Sequence, residues 1–519
     1  MLSKLVFLSS LKMAAATFSS RILGLVREQA IAQYFGASGL TDAFNIAFRI
    51  PNILRDLFAE GAFSSAFVPI FTEAKQISQV EARRLLWALF VLLGSVTTFL
   101  SLLIFIFAPE LLELFTDELF TSSVERRNIT ILLIRIMSPF LLFVSLAALF
   151  MGVLNSLKVF FLPALAPALF NVVMIISIIF VSPWLASMGH HSILSLGVGV
   201  LVGGFVQMLF QLPPILKRAY GPVSPGKIIN DYTKRVFHRV GIGTIGIAAT
   251  QINILITTIL ATGTVVGAVS WLNYAFRLFQ FPVGILSVSI AGSNLVHFSD
   301  AWKSGRIEEA KSLLKSSYFL SLVTIVPAFC LLYVMSTEAV NLVYQRGAFN
   351  LEDTTNTASA LRFYLYGLPF YGLYKIFAPT FFTLDHPKVP IYISVTAILF
   401  NIVFCVLLVP KYGFVVLALG TTLSMLLNCL LQSFFLKKYL DLDLSFFIDL
   451  RVFKVFLSGL VCFFSTQYLI DSFYLIEAVF LEKLLRFCFL GAVGAGSYAF
   501  CLLLLGELSS LKLLLKRKH

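Results

Sequence analysis

The sequence predicts an all-α integral membrane protein of about fourteen transmembrane helices, built as two six-helix lobes plus two extra C-terminal helices. Three observations carry this. Of 519 residues, 59% are hydrophobic and 13% charged, with a mean hydropathy of +0.92, too little polar surface to cover a soluble globule. Apolar runs of membrane-spanning length recur along the whole chain. The second half also repeats the first.

In chain order the runs lie near 5–35, 41–72, 85–108, 129–154, 162–182, 192–216, 236–262, 265–299, 313–335, 358–383, 389–409, 413–436, 452–471 and 484–506. The first resembles a cleaved signal, with Lys4 before an apolar stretch and small residues at Ala14, Ala15 and Ala16, but Lys12 interrupts it, so it is read as helix 1. Pro51, Pro69, Pro163, Pro167, Pro282 and Pro369 sit where kinks or hinges are expected.

The repeat fixes the lobes. Asn45 to Arg49 reads N-I-A-F-R and Asn273 to Arg277 reads N-Y-A-F-R, an offset of 228. Leu154, Lys158, Val159, Leu169, Phe170, Asn171 and Val173 recur as Leu384, Lys388, Val389, Leu399, Phe400, Asn401 and Val403, each 230 residues on. L-S-L-G at 194–197 is answered by L-A-L-G at 417–420. Six helices per repeat restore chain direction, so the lobes are expected to be parallel repeats about an axis along the membrane normal. The expected domains are an N-terminal lobe at 1–220, a cytoplasmic linker at 221–235, a C-terminal lobe at 236–440, and helices 13 and 14 with a basic tail at 441–519.

The net charge of +13 is spread through interhelical segments rather than gathered on one domain, which argues against nucleic acid. Lys75, Arg83, Arg84, Lys217, Arg218, Lys303, Lys437 and Lys438 fall on one side, against Arg126, Arg127, Arg346, Lys411 and Lys483 on the other, placing both termini in the cytoplasm. The six cysteines lie in apolar segments without metal-ligand spacing and read as small buried hydrophobes. The six histidines show no catalytic or metal-binding grouping, so an enzyme is not expected.

Charge inside the apolar runs is the functional signal, because it costs roughly 2.5–3.5 kcal/mol per residue even on lenient insertion scales. Arg21, Arg27, Arg49 and Arg55 lie in or beside the first two runs, with Glu28, Asp42, Asp56 and Glu60 nearby, and Arg277 lies in the eighth with no acid between Asp231 and Asp300. Arg21 and Glu28 share a helical face, as do Asp42 and Arg49, whereas Arg27 points about 120° from Arg21. Structural ion pairs with Asp42, Asp56 and Glu60 are one reading. The other is a positively charged chamber between the lobes, lined by these arginines and supported by Lys375. Guanidinium suits phosphate through its planar fork and permanent charge, so the implied cargo is a phosphate or pyrophosphate anion.

The stretch from Ser20 to Glu73, with S-R-I-L-G-L-V-R-E, T-D-A-F and R-I-P-N-I-L-R-D-L-F-A-E-G-A-F-S-S-A-F-V-P-I-F-T-E, closely resembles the MurJ (MviN) family of lipid II flippases. Helix number, repeat and extra pair fit that family throughout the chain. The resemblance implies the fold of the multidrug/oligosaccharidyl-lipid/polysaccharide exporters and alternating-access transfer of lipid II from the cytoplasmic to the outer leaflet of a bacterial inner membrane. It implies that Arg21, Arg27, Arg55, Arg277 and Asp42 line the cavity, and that helices 13 and 14 form a groove for the polyprenyl tail.

Two features depart from the family. Phe276 stands where many relatives have an acid before the helix 8 arginine, and helices 7, 8, 11 and 12 offer Asn253, Asn401 and Asn428 but no membrane-central acid for sodium. The coupling ion therefore stays open, no cofactor is implied, and the membrane potential is the expected driving force. The alternatives are a flippase for another polyprenyl-pyrophosphate-linked oligosaccharide and a MATE-like drug exporter, the latter disfavoured because cationic cargo calls for buried carboxylates.

Overall fold

The computed structural model describes residues 2–58, 62–284, 288–443, 446–447, 449–473 and 479–507, and all regular structure among them is helical. The chain forms two compact units, Met1–Ser270 and Trp271–His519. The first contains α1 (Leu2–Phe35), α2 (Gly39–Phe58), α3 (Ala62–Ile77), α4 (Gln79–Ile106), α5 (Ala108–Phe115) and α6 (Glu118–Thr121). It continues with α7 (Val124–Met137), α8 (Phe140–Ser156), α9 (Phe161–Ile176), α10 (Ser182–Ser187), α11 (Leu194–Leu216) and α12 (Asp231–Thr262), a π turn at Ser177–Val181 joining α9 to α10. Next come α13 (Ala268–Pro282), which starts just before the unit boundary, α14 (Val288–Lys303), α15 (Ile307–Val334), α16 (Ser336–Tyr344) and α17 (Leu351–Leu365). The second unit ends with α18 (Leu368–Thr383), α19 (Lys388–Tyr412), α20 (Val415–Leu440), α21 (Leu450–Phe473) and α22 (Phe480–Leu504).

Among the described residues nine helical stretches are long and apolar enough to cross a membrane, including Val124–Ser156, Leu194–Leu216 and Phe480–Leu504. The helices α1, α2 and α13, which carry the arginines singled out above, fall outside the nine. Among the described residues every expected run is largely helical, yet two are broken where one helix was expected. The 129–154 run divides at Ser138 and Pro139, and 358–383 divides before Pro369, because a proline has no amide to extend the preceding helix but fits the first turn of the next. The described parts of the 41–72 run are α2 and α3, and those of 265–299 include α13 and α14.

The expected linker is irregular chain tied down by the start of α4. Arg83 donates Nε to the Gly221 carbonyl at 2.6 Å and Nη2 to that of Pro222 at 2.8 Å, and Trp87 Nε1 donates to the Tyr220 carbonyl at 3.1 Å. It ends in a capping box in which the Asn230 side chain accepts from the Thr233 amide and the Thr233 hydroxyl accepts from the Asn230 amide, both at 2.9 Å. From there α12 packs on the first unit, and Arg235 grips Glu73 with both Nη atoms at 2.9 and 2.6 Å, holding that carboxyl below its usual range. Cys330, Cys405, Cys429 and Cys462 are buried as expected, but Cys488 is exposed on α22.

Lipid tails are as apolar as leucine, so helix association here depends on close packing, and the repeat places glycine at matched contacts. A Cβ on Gly197 of α11 would stand 3.0 Å from Leu133 Cδ2, and one on its repeat counterpart Gly420 of α20 would stand 2.6 Å from Asn401 Oδ1 and Cys405 Sγ. Gly204, on the same helix as Gly197, would bring a Cβ within 2.6 Å of Phe140. Gly496, by contrast, has open space around it. Gly420→Val should therefore cost about 1–3 kcal/mol by overpacking and lower the thermal midpoint of the purified protein, while Gly496→Ala leaves it unchanged. Equal midpoints for the two variants would show that the glycine contact is not close.

Candidate functional site

The first unit holds its embedded guanidinium groups with short-range acids and long-range amides. Arg27 on α1 is 13% exposed; its Nη2 pairs with Glu28 Oε1 at 2.5 Å and its Nη1 donates to Asn171 Oδ1 on α9 at 3.1 Å. Asn171 is itself fixed, its Nδ2 donating to the Ser20 carbonyl at 3.1 Å, and the guanidinium stands 5.8 Å from the Phe170 ring centre. Arg27 Nε is buried with no hydrogen-bond partner among the described residues. A strong donor in that state is a candidate contact for an incoming anion.

One helix along, Arg55 donates Nε and Nη2 to a single oxygen of Asp56 at 3.1 and 2.8 Å. The other Asp56 oxygen accepts from Gln251 Nε2 of α12 at 3.1 Å. Asn52, three residues before Arg55, keeps a buried Oδ1 without a partner among the described residues. The Asp56 carboxylate thus bridges Arg55 of α2 and Gln251 of α12.

Asp42 has a different part from the one its spacing to Arg49 indicated. It is 3% exposed and accepts from the Gly267 amide at 2.7 Å, the Ser270 amide at 2.9 Å and the Ser270 hydroxyl at 2.6 Å. Those donors open α13, so the carboxylate meets a helix N-terminus, where a negative charge is most welcome. Asn45, one turn along α2, donates to the same Ser270 hydroxyl at 3.0 Å.

Of the remaining expected residues, Arg21 is exposed on α1 and Arg49 half-buried on α2. Arg277 is exposed on α13, and neighbouring Phe276 packs against Phe279 and Tyr364 at 5.7 and 5.3 Å between ring centres. Lys375 is exposed on α18 beside Tyr374. Glu60 lies outside the described residues. Arg135 and Arg362 are held locally, the first by the Phe105 carbonyl and the second by Ser336 and Thr337. Asn171, Gln251 and Ser270 were not singled out from the sequence; only Asn171 left a trace there, as half of the repeat pair with Asn401.

No group of three or more potential metal ligands occurs among the described residues. What the site offers is hydrogen-bonding cation chemistry on a helical scaffold. The family model described as lipid II flippase MurJ matches residues 31–490. A lipid II flippase MurJ of Burkholderia cenocepacia is 34% identical over 446 residues, covering 83% of this chain and 84% of its own. A probable one of Rickettsia prowazekii is 33% identical over 436 residues, with 84% of each chain covered. The solved lipid II flippase MurJ in an inward closed conformation superposes with a TM-score of 0.77 at 27% identity, over 95% of this chain and 99% of that one. An inward-facing MATE transporter of the MOP superfamily shares the fold, with a TM-score of 0.62 at 12% identity over 83% of this chain and 94% of its own. The chain belongs to the lipid II flippase MurJ family.

Proposed function

We propose that the protein is a multi-pass bacterial membrane flippase that moves lipid II from the cytoplasmic to the outer leaflet by alternating access, with both termini in the cytoplasm. The observation that carries this reading is Arg27, a largely buried guanidinium whose Nε has no hydrogen-bond partner among the described residues, in a chain of this family. A diphosphate head cannot cross hydrocarbon unaided, whereas a polyprenyl tail would be costly to draw into water. The protein therefore needs to receive only the head, and helices α21 and α22 are the proposed path for the tail.

Glu28 and Asp56 act in this scheme as resident counter-ions. A bare arginine waiting for cargo would carry the desolvation penalty of an uncompensated charge, and removing one partner from such a pair costs about 3–5 kcal/mol. With an acid already beside it, each guanidinium stays neutralised between cycles and exchanges one anion for another when phosphate arrives. Arg21, Arg27 and Arg55 in the first unit and Arg277 in the second are the proposed phosphate contacts. Arg49, Asp42, Glu28, Glu60 and Lys375 support or gate the cavity.

Each of Arg27→Ala, Arg55→Ala and Arg277→Ala should fail to complement a strain lacking its own flippase, at normal membrane levels. Arg27→Lys should be impaired too, since a lysine lacks the planar fork. Full complementation by all three alanine variants would remove the phosphate assignment. Depletion of the protein should end in loss of peptidoglycan and lysis; loss of surface polysaccharide instead would point to a different polyprenyl-pyrophosphate cargo. We also propose the membrane potential as the driving force, worth about 2.3 kcal/mol per 100 mV for each charge moved. Dissipating it with an ionophore should slow flux, and unchanged flux would refute this source of energy.

A further inference from the structure

Each repeat bends one long helix at the same place. In the first unit α4 and α5 meet at Phe107, with φ −90° and ψ 24°, and in the second α15 and α16 meet at Met335, with φ −92° and ψ 23°. Both α4 and α15 are 28 residues long, and the two bends lie 228 residues apart, the offset of the repeat. Their chemistry differs. Pro109, in the opening turn of α5, has no amide to give the carbonyl four residues back, that of Phe105. The matching residue of the second unit is Thr337, whose amide is intact.

An arginine from another helix of the same unit reaches each bend. Arg135 of α7 donates Nε to the Phe105 carbonyl at 3.3 Å, its guanidinium 5.6 Å from the Phe105 ring centre. Arg362 of α17, 227 residues further on, donates Nε to the Ser336 hydroxyl at 2.7 Å and Nη2 to that of Thr337 at 3.0 Å. Each takes the acceptor its own bend offers: a carbonyl where proline withdraws the amide, and hydroxyls where Ser336 and Thr337 replace Ala108 and Pro109. In hydrocarbon no water is at hand to take the arginine's place. Arginines that merely snorkelled to the membrane surface would not both land on the bend.

We propose that Arg135 and Arg362 are matched latches, each clamping the bend of its unit's long helix and so fixing the direction in which α5 or α16 continues from it. Arg135 does so by standing in for the amide that Pro109 lacks. The latches do not depend on what the protein carries.

Hydrogen-exchange mass spectrometry of the full chain, read on peptides covering 103–113 and 331–344, tests this. Arg135→Met should speed exchange at the first bend about tenfold, the size of one lost hydrogen bond to a charged group, and leave the second bend unchanged. Arg362→Met should do the converse. Pro109→Ala gives the Phe105 carbonyl an amide of its own, so in that background Arg135→Met should change exchange at the first bend by less than about twofold, while Arg362→Met keeps its full effect at the second. Should Arg135→Met not fold alone, its folding in the Pro109→Ala background would show the same substitution of one donor for another. Unchanged exchange at the bend in either arginine variant, equal acceleration by Arg135→Met with and without Pro109, or failure of Arg135→Met to fold in both backgrounds would overturn the proposal.

Discussion

A guanidinium group surrounded by apolar helices cannot shed its charge, and the architecture of the first unit follows from how that charge is met. Arg27 is met by the adjacent Glu28 and by Asn171 from α9, and Arg55 by the adjacent Asp56, which Gln251 of α12 holds from its other side. Each arginine thus has an acid beside it in the chain and an amide further away, directly for Arg27 and through Asp56 for Arg55. The amides reach back 144 and 195 residues, so the charges tie together helices that are distant in sequence. The acids keep the folded protein from carrying bare charge, and Arg27 Nε is buried with no hydrogen-bond partner among the described residues.

The two repeats share packing more than chemistry. Gly197 and Gly420 sit at close helix contacts in their own units, and Asn171 and Asn401 are both buried. Arg49 and Arg277 also correspond. At the same offset of 228, however, Arg27 becomes Leu255 and Arg55 becomes Val283. Asn171 accordingly accepts from an arginine, while Asn401 accepts from the thiol of Cys405 at 3.4 Å. The two halves thus share a scaffold, whereas of these three arginines only Arg49 has an arginine at the matching position of the second repeat.

Helix positions were readable in the sequence because a bilayer imposes a length and an apolar composition on every span. The arginines were readable for the same reason, as exceptions to that composition. Breaks inside spans were readable only in part: Pro369 sits where a kink is expected and the 358–383 run divides before it, whereas Pro139 was not singled out, though it caps the start of α8. Partnerships were harder still. Helical spacing set Glu28 on the face of Arg21, whereas Glu28 pairs with the adjacent Arg27, and it offered Asp42 to Arg49, whereas Asp42 meets Gly267 and Ser270 at the start of α13. Period along a helix is local information. Which distant amide or helix terminus arrives at a given face is set by packing, and a single chain does not display it.

If the embedded guanidinium groups are held for the cargo's diphosphate, the affinity of the purified protein for lipid II is where that should be visible, free of questions about expression or energy supply. In a titration with lipid II, Arg27→Ala and Arg55→Ala should each weaken binding by about 2–5 kcal/mol, with thermal midpoints showing that the variants are folded. Folded variants that bind lipid II as tightly as the parent protein would contradict the account.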